Sequence, residues 1–380
     1  MAIPAPKSDI NWAKLQLTDH LPLNGHVEAR FYQSTKQWTS PTLVTDPKIA
    51  ISGISPALNY GQQCYEGLKA FRTPSDIVVF RPEFHAKRMA GSAAAVCLPP
   101  PPEELFLECI RMAVVANGEY VPPEYSQGFL YIRPVLFGSS DGLLLGPCDE
   151  TIFAVYCHPA VPYHGIGGGI KGIVCEDFDR AAPKGVGCFK VGGNYAPVWR
   201  HAAKAMQMGY HITIHLDSAS RTMVEEFATS AFLGHRLKNG RHVLVVPISE
   251  SAIASATSDS LVTLAERAGW TVERMQDHSD EDQLPFSALG ELDEVAAVGT
   301  AAAAVPIKAL DRLSTGDKLV FPGSGETSNI SHLASLMDAI QRGKQQDVDG
   351  WCWKVTGFAT AKQKLNNSST TVISNAEMTV

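Results

Sequence analysis

The segment "CFKVGGNYAP" (residues 188–197) sets one lysine, Lys190, against two glycines, an asparagine and a tyrosine. On turn composition alone, a surface loop with its lysine in water is the simpler reading. The alternative makes Lys190 an amine nucleophile. A lysine forming a Schiff base needs open backbone around it, because a planar cofactor must come within bonding distance. The rest of the chain has to choose between them.

With 380 residues the chain exceeds the usual size of a single hydrophobic core, so two domains are expected. Hydrophobic residues make up 45% and charged residues 19%, the balance of a globular protein and not of a disordered one. A formal net charge of −7, with no Lys/Arg block, disfavours nucleic acid and anionic membrane as partners. No apolar run is long enough to span a bilayer. The start, "MAIPAPKSDINWAKL", has neither an apolar signal core nor the arginines of a mitochondrial presequence. Eight scattered cysteines without a CxxC read as reduced thiols of a cytoplasmic protein, and no metal site is expected.

The organisation reads as α+β. "GHVEARFYQSTKQW", "IAISG", "CYEGLKAFR" and "IVVFR" are expected strands, and "PEFHAKRMAGSAAAVCL" (82–98) is an expected helix with proline in its first turn. A second helix follows the prolines at 99–102, and then come the strands "FLYIRPVLFG" and "TIFAVYCHP". Residues 1–162 are thus expected to form a smaller domain, with 163–171 a glycine-rich interdomain loop. Residues 172–364 are expected to form the larger domain. It carries the helix "PVWRHAAKAMQMG", a helix over 258–268 capped by Ser258 or Asp259, and a buried strand opening 294–310. Residues 365–380 lack core-forming periodicity and read as a mobile tail.

Four segments suit one cofactor, pyridoxal phosphate, which needs an amine, an acid at its ring nitrogen, a phenol at its ring oxygen and a phosphate cup. Lys190 supplies the amine, and Tyr195 lies five residues on, across a Gly-Gly-Asn turn. In "MVEEFATSAF", alternation points one of Glu225 and Glu226 inward and the other out; the plain alternative is an edge strand with both acids solvated. A buried carboxylate is costly unless it meets a cation, and a protonated pyridine is one. "SAT" (255–257) before a helix offers N–H groups and the Thr257 hydroxyl to an anion. "VGTAA" (298–302) adds a second Gly-Thr turn. For Arg88, a solvated helix face is the simpler single-residue reading.

In order along the chain, "YGQQCYEGLKAFR", "FRPEFHAKRMAGSA", "YIRPVLFG", "GVGCFKVGGNYAP", "VEEFATSAF" and "VGTAAAAVP" resemble the branched-chain aminotransferase family, fold-type IV pyridoxal phosphate enzymes. The resemblance implies that Lys190, and not Lys184, is the Schiff-base lysine. It implies that Glu226 pairs with the pyridine nitrogen and Tyr195 with the ring oxygen. Arg88, Ala256, Thr257 and Thr300 match phosphate contacts. Tyr60, Tyr65, Tyr131, Arg133 and Tyr163 fall on substrate-pocket positions, with Thr229, Thr300 and Ala301 near the substrate carboxylate. A guanidinium at Arg133 can clamp the distal carboxylate of glutamate or 2-oxoglutarate.

The chain departs from the family where "EVGTMN" is usual: it has "EFATSA" (226–231), with Ala228 for a glycine and Ala231 for an asparagine. Tyr65 replaces a common phenylalanine. The resemblance thus implies a homodimeric aminotransferase moving an amino group between an L-amino acid, branched-chain or related, and 2-oxoglutarate. A secondary-metabolic fold-type IV enzyme for a D-amino acid, an amine or an unusual amino acid, or a lyase, is the alternative.

Overall fold

The structure, a computed structural model, describes residues 3–15, 19–143, 145–161, 169–275, 283–301 and 303–358. Tyr163, most of the glycine-rich loop and the expected tail lie outside the described residues.

Two sheets carry the fold. The first contains β1 (His26–Tyr32), β2 (Gln37–Trp38), β3 (Thr42–Val44), β4 (Gln63–Tyr65), β5 (Leu68–Arg72), β6 (Ile77–Phe80), β7 (Phe129–Gly138) and β8 (Glu150–Ala160). All its pairings are antiparallel. The second contains β9 (Ile170–Val174), β10 (Ile212–Leu216), β11 (Val224–Phe227), β12 (Ala231–Lys238), β13 (Arg241–Pro247), β14 (Thr271–Met275), β15 (Glu294–Gly299), β16 (Ala303–Arg312) and β17 (Asp317–Val320). It is mixed: β9 runs parallel to both β10 and β16. The last strand, β18 (Cys352–Lys354), crosses back to pair with β6 at the edge of the first sheet.

Among the described residues six α-helices complete the fold: α1 (Pro56–Tyr60), α2 (Pro82–Ala95), α3 (Glu103–Ala116), α4 (Trp199–Gln207), α5 (Ala256–Arg267) and α6 (Asn329–Gln341). Pro82 suits the first turn of α2, where its missing N–H is not needed. Glu103 and Glu104 complement the positive end of α3.

Strand alternation decides what each side of the first sheet meets. On one side Cys64, Leu68, Leu130, Ile132 and Leu136 are fully buried in a cluster with residues of α2 and α3. On the other, Phe71 and Phe129 pack into a cluster that includes Leu261 of α5 and Met337 of α6. Lys69 pairs with Tyr131 and Tyr65 with Val135, so Gly67 falls opposite Arg133. Tyr65, Gly67, Lys69, Tyr131 and Arg133 therefore share the side that faces the second sheet.

Three sequence readings are corrected. "IAISG" is not a strand; Ile49 and Ile51 pack from a loop onto Phe137 and Ile152. The stretch 294–310 is two strands of an antiparallel hairpin, because both β15 and β16 find partners on either side. Helix α5 starts at Ala256, and its cap is Ser255, whose Oγ accepts from Ser258 N–H at 3.2 Å.

All eight cysteines are free thiols. Among the described residues no helix is long and apolar enough to cross a membrane.

Candidate active site

Backbone contacts fix Lys190 before its side chain is considered. Its carbonyl accepts from Tyr65 N–H at 3.1 Å, its N–H donates to Ser92 Oγ at 2.9 Å, and Val191 bridges to Cys64. The segment is stitched to β4 and α2, so the free surface loop is excluded. Gly192 leaves room for the Gln63 amide, and Asn194 Nδ2 closes the turn on Phe189 O at 2.9 Å. Lys190 Nζ then donates to Tyr195 Oη at 2.9 Å. Lys184 is exposed.

Two cations rest against the Tyr65 ring, with Lys190 Nζ at 4.9 Å and the Arg133 guanidinium at 4.6 Å from its centroid. Burial and the neighbouring Tyr195 push the Tyr65 phenol well above its usual value. Arg133 Nη2 donates to Tyr131 Oη at 2.9 Å. Tyr131 in turn packs over Gly67, where a β-carbon would collide with its hydroxyl.

Arg88 does not lie on a solvated helix face. Its side chain is 12% exposed, and its Nε and Nη2 grip the two oxygens of Glu66 at 2.6 and 2.7 Å. Glu66 is fully buried and also accepts from Gly67 N–H and meets His85 Nδ1 at 2.6 Å. Burial by itself would raise this carboxyl, but Arg88 and His85 outweigh it and hold it well below the usual carboxylate range. Burial lowers the His85 pKa against the pull of Glu66.

Glu225 and Glu226 are both buried, although β11 is an edge strand. The expected outward acid, Glu225, is covered by the loop after β13, whose Ser249 Oγ donates to it at 3.0 Å. Glu226 lines the cavity with Lys190. Its Oε1 receives Arg180 Nη2 and the Ile253 N–H, the latter at 3.2 Å, while Oε2 has no hydrogen bond among the described residues. Burial pushes the Glu226 carboxyl up to about 7 against the pull of Arg180.

A cavity of about 280 Å³ brings together Tyr65, Arg88, Tyr131, Arg133, Lys190, Tyr195, Glu226, Thr229, Thr300 and Ala301. Ala256 and Thr257 line an adjoining cavity of about 20 Å³ that shares Gly299 and Thr300 with it. Tyr60 is not brought in; its hydroxyl donates to Leu143 O at 2.7 Å on the outer surface. An amine beside a phenol, a buried carboxylate with one open oxygen, and an arginine near a helix N-terminus form the donor set pyridoxal phosphate requires. The residues present fit that cofactor.

Sequence reasoning missed Glu66 and Arg180. An acid between apolar strand residues, with His85 and Arg88 one helical turn apart on α2, is a signal that could have found Glu66. "DFDRAAP" holds no comparable signal for Arg180.

The amino-transferase class IV family profile matches residues 63–310. The transaminase htyB of Aspergillus rugulosus is 44% identical over 363 residues, covering 92% of this chain and 94% of that protein. The branched-chain amino acid aminotransferase gloG of Glarea lozoyensis is 40% identical and covers 92% of this chain and 97% of its own. Among solved structures, the Escherichia coli branched-chain amino acid aminotransferase superposes with a TM-score of 0.69 at 25% identity. That match covers 83% of this chain and 97% of the other.

Proposed function

Because the chain belongs to the class IV aminotransferases, pyridoxal phosphate enzymes that act on amino acids and 2-oxo acids, we propose that it passes the amino group of a hydrophobic L-amino acid, branched-chain or related, to 2-oxoglutarate. When bound, the cofactor supplies an electrophilic carbonyl carbon and a conjugated ring that takes up electron density. Lys190 Nζ is the amine that anchors it, and once free it moves the proton at the substrate Cα. Tyr195 Oη orients that amine and meets the ring oxygen. The Glu226 carboxylate, through its open Oε2, holds a proton at the ring nitrogen. Arg88, Thr300 and the N-terminal end of α5 at Ala256 and Thr257 hold the phosphate. The exposed apolar side chains of Leu58, Tyr60, Leu143 and Leu145 support assembly as a homodimer. Eight free thiols support a reducing, cytoplasmic setting.

The observation that carries the acceptor assignment is Arg133, an exposed guanidinium held over the rings of Tyr65 and Tyr131 at the cavity that contains Lys190. It can read a distal carboxylate, while the rings beside it pack an apolar side chain. Arg133→Met removes charge-assisted hydrogen bonds that contribute on the order of 1.5–3 kcal/mol. It should lower kcat/KM for 2-oxoglutarate ~10-fold to ~100-fold and leave an apolar 2-oxo acid nearly unaffected. Lys190→Ala, run beside it, should abolish turnover with both acceptors. Equal losses with both acceptors in Arg133→Met would reject the carboxylate role.

A second reading, a specialised donor side chain, is favoured by the wall Ala228, Thr229, Ser230, Ala231 and Ala301, all small residues. A donor panel with both enantiomers and with aliphatic, aromatic and unusual side chains separates the two.

A further inference from the structure

Lys69 stands out among the buried cations. It lies on the same side of the first sheet as Tyr65, Tyr131 and Arg133, and the whole residue is 8% exposed. Its ammonium sits 4.0 Å from the centroid of the Phe129 ring and makes no hydrogen bond or ion pair among the described residues. The charges that act on it are opposite in sign, Asp338 and Arg342, and these two pair with each other. Burial pushes the Lys69 pKa down to about 7. A lone buried ammonium is costly, and such a group persists where an anion completes it.

The small cavity that Lys69 lines adjoins the anion's place, the larger cavity with which it shares Gly299 and Thr300. The small cavity holds about 20 Å³, enough for one water, and its wall includes His85, Ala256, Thr257, Gly299 and Thr300. Ala256 and Thr257 open the first turn of α5, whose N–H groups and dipole favour negative charge. A phosphate monoester brings a charge of about −1.5 to −2. Of the other cations near this end, Arg88 is already matched by Glu66 through two hydrogen bonds, Arg81 pairs with Asp259, and burial disfavours a charge on His85. The net positive charge must come from elsewhere.

We propose that Lys69 supplies the uncompensated positive charge for the cofactor's phosphate, directly or through a water in this cavity. The proposal rests on the phosphate reading of the α5 end given above. Arg88 then shapes and orients the cup, and Lys69 sets its charge.

The test uses the full-length, cofactor-free protein as wild type, Lys69→Met, Lys69→Gln, Lys69→Arg and Arg88→Met. Binding of pyridoxal 5′-phosphate and of pyridoxal, which lacks the phosphate, is followed by tryptophan fluorescence, and stabilisation by millimolar inorganic phosphate by thermal melting. Both neutral Lys69 variants should bind pyridoxal 5′-phosphate ~10-fold to ~100-fold more weakly and pyridoxal as wild type does. They should lose most of the melting shift given by phosphate, while Lys69→Arg keeps most of both. Their unliganded Tm should equal or exceed wild type, because a lone buried charge has been removed. Unchanged pyridoxal 5′-phosphate affinity in the neutral variants, with Arg88→Met weakened, would overturn the Lys69 role and leave the cup standing. Unchanged affinity in all variants would overturn the cup itself. Unchanged cofactor affinity with a raised KM for amino acids would assign Lys69 to a substrate carboxylate instead, and so also reject the proposal.

Discussion

Two buried carboxylates, each touching an arginine, end up in opposite electrostatic states. Glu66 is gripped at both oxygens by Arg88 and further held by His85 and the Gly67 N–H. Glu226 receives Arg180 at one oxygen only, and the Arg180 Nη2 that reaches it also serves Ser251 O at 3.0 Å. His215, opposite Glu226 across β10 and β11, adds no charge, because burial and Arg180 push its pKa down to about 4. So Glu66 lies far below the usual range, and Glu226 rises to about 7. Burial is similar, and the number of donors on the carboxylate decides the outcome. A saturated pair is a fixed part of the scaffold. An unsaturated one keeps an oxygen for a further cation, which is what a protonated ring nitrogen would be.

The largest effect should separate the two sites by stability. Glu66→Gln leaves Arg88 buried without its counter-charge and should destabilise the protein by about 3–5 kcal/mol, read as a lower urea midpoint. Glu226→Gln should cost clearly less, and comparable losses would erase the contrast. Turnover should order them differently. Glu226→Gln should lower kcat by roughly 100-fold with cofactor still bound, since a neutral amide does not stabilise a protonated ring nitrogen. Glu225→Gln should change kcat less than ~3-fold, and matching losses at both positions would mean that the cavity-facing acid is misassigned.

The smallest effect is in the pH dependence of the cofactor-free protein. Folded Glu226 keeps its proton to about 7 and unfolded Glu226 only to its ordinary 4.5, so the native state binds the extra proton between them. Its contribution is therefore most favourable at the acid end and declines as pH rises through that window. Glu66 has the reverse sign: its folded pKa is depressed, so its stabilisation is present above the ordinary carboxylate value and is lost as pH falls. Thermal melting between about pH 5 and about pH 7 should slope downward in wild type and flatten in Glu226→Gln. A slope unchanged by that substitution would remove Glu226 as its source.

Much of the site was legible from local pattern. The Tyr195 spacing from Lys190, the alternation that aims Tyr131 and Arg133 together, and the helix start near Thr257 are short-range features, whereas turn composition around Lys190 by itself favours a surface loop. Strand and helix periods impose such arrangements wherever the segment lies. The α5 cap was misplaced by three residues or more because Ser255, Ser258 and Asp259 are chemically equivalent candidates until backbone geometry selects one. "IAISG" has strand composition, but it finds no neighbouring strand to pair with.

What the sequence by itself determined is the set of candidate residues: an amine in open backbone, a phenol, an acid in an apolar strand. Only the tertiary structure decided their charge states and partners. Glu66 and Arg88 are 22 residues apart and Arg180 and Glu226 are 46 apart. Lys69 and Thr257 come to line one cavity only where the first sheet faces α5. A side chain's ionisation depends on how many donors surround it and on how much water is excluded. Both are set by segments that meet only when the chain has folded.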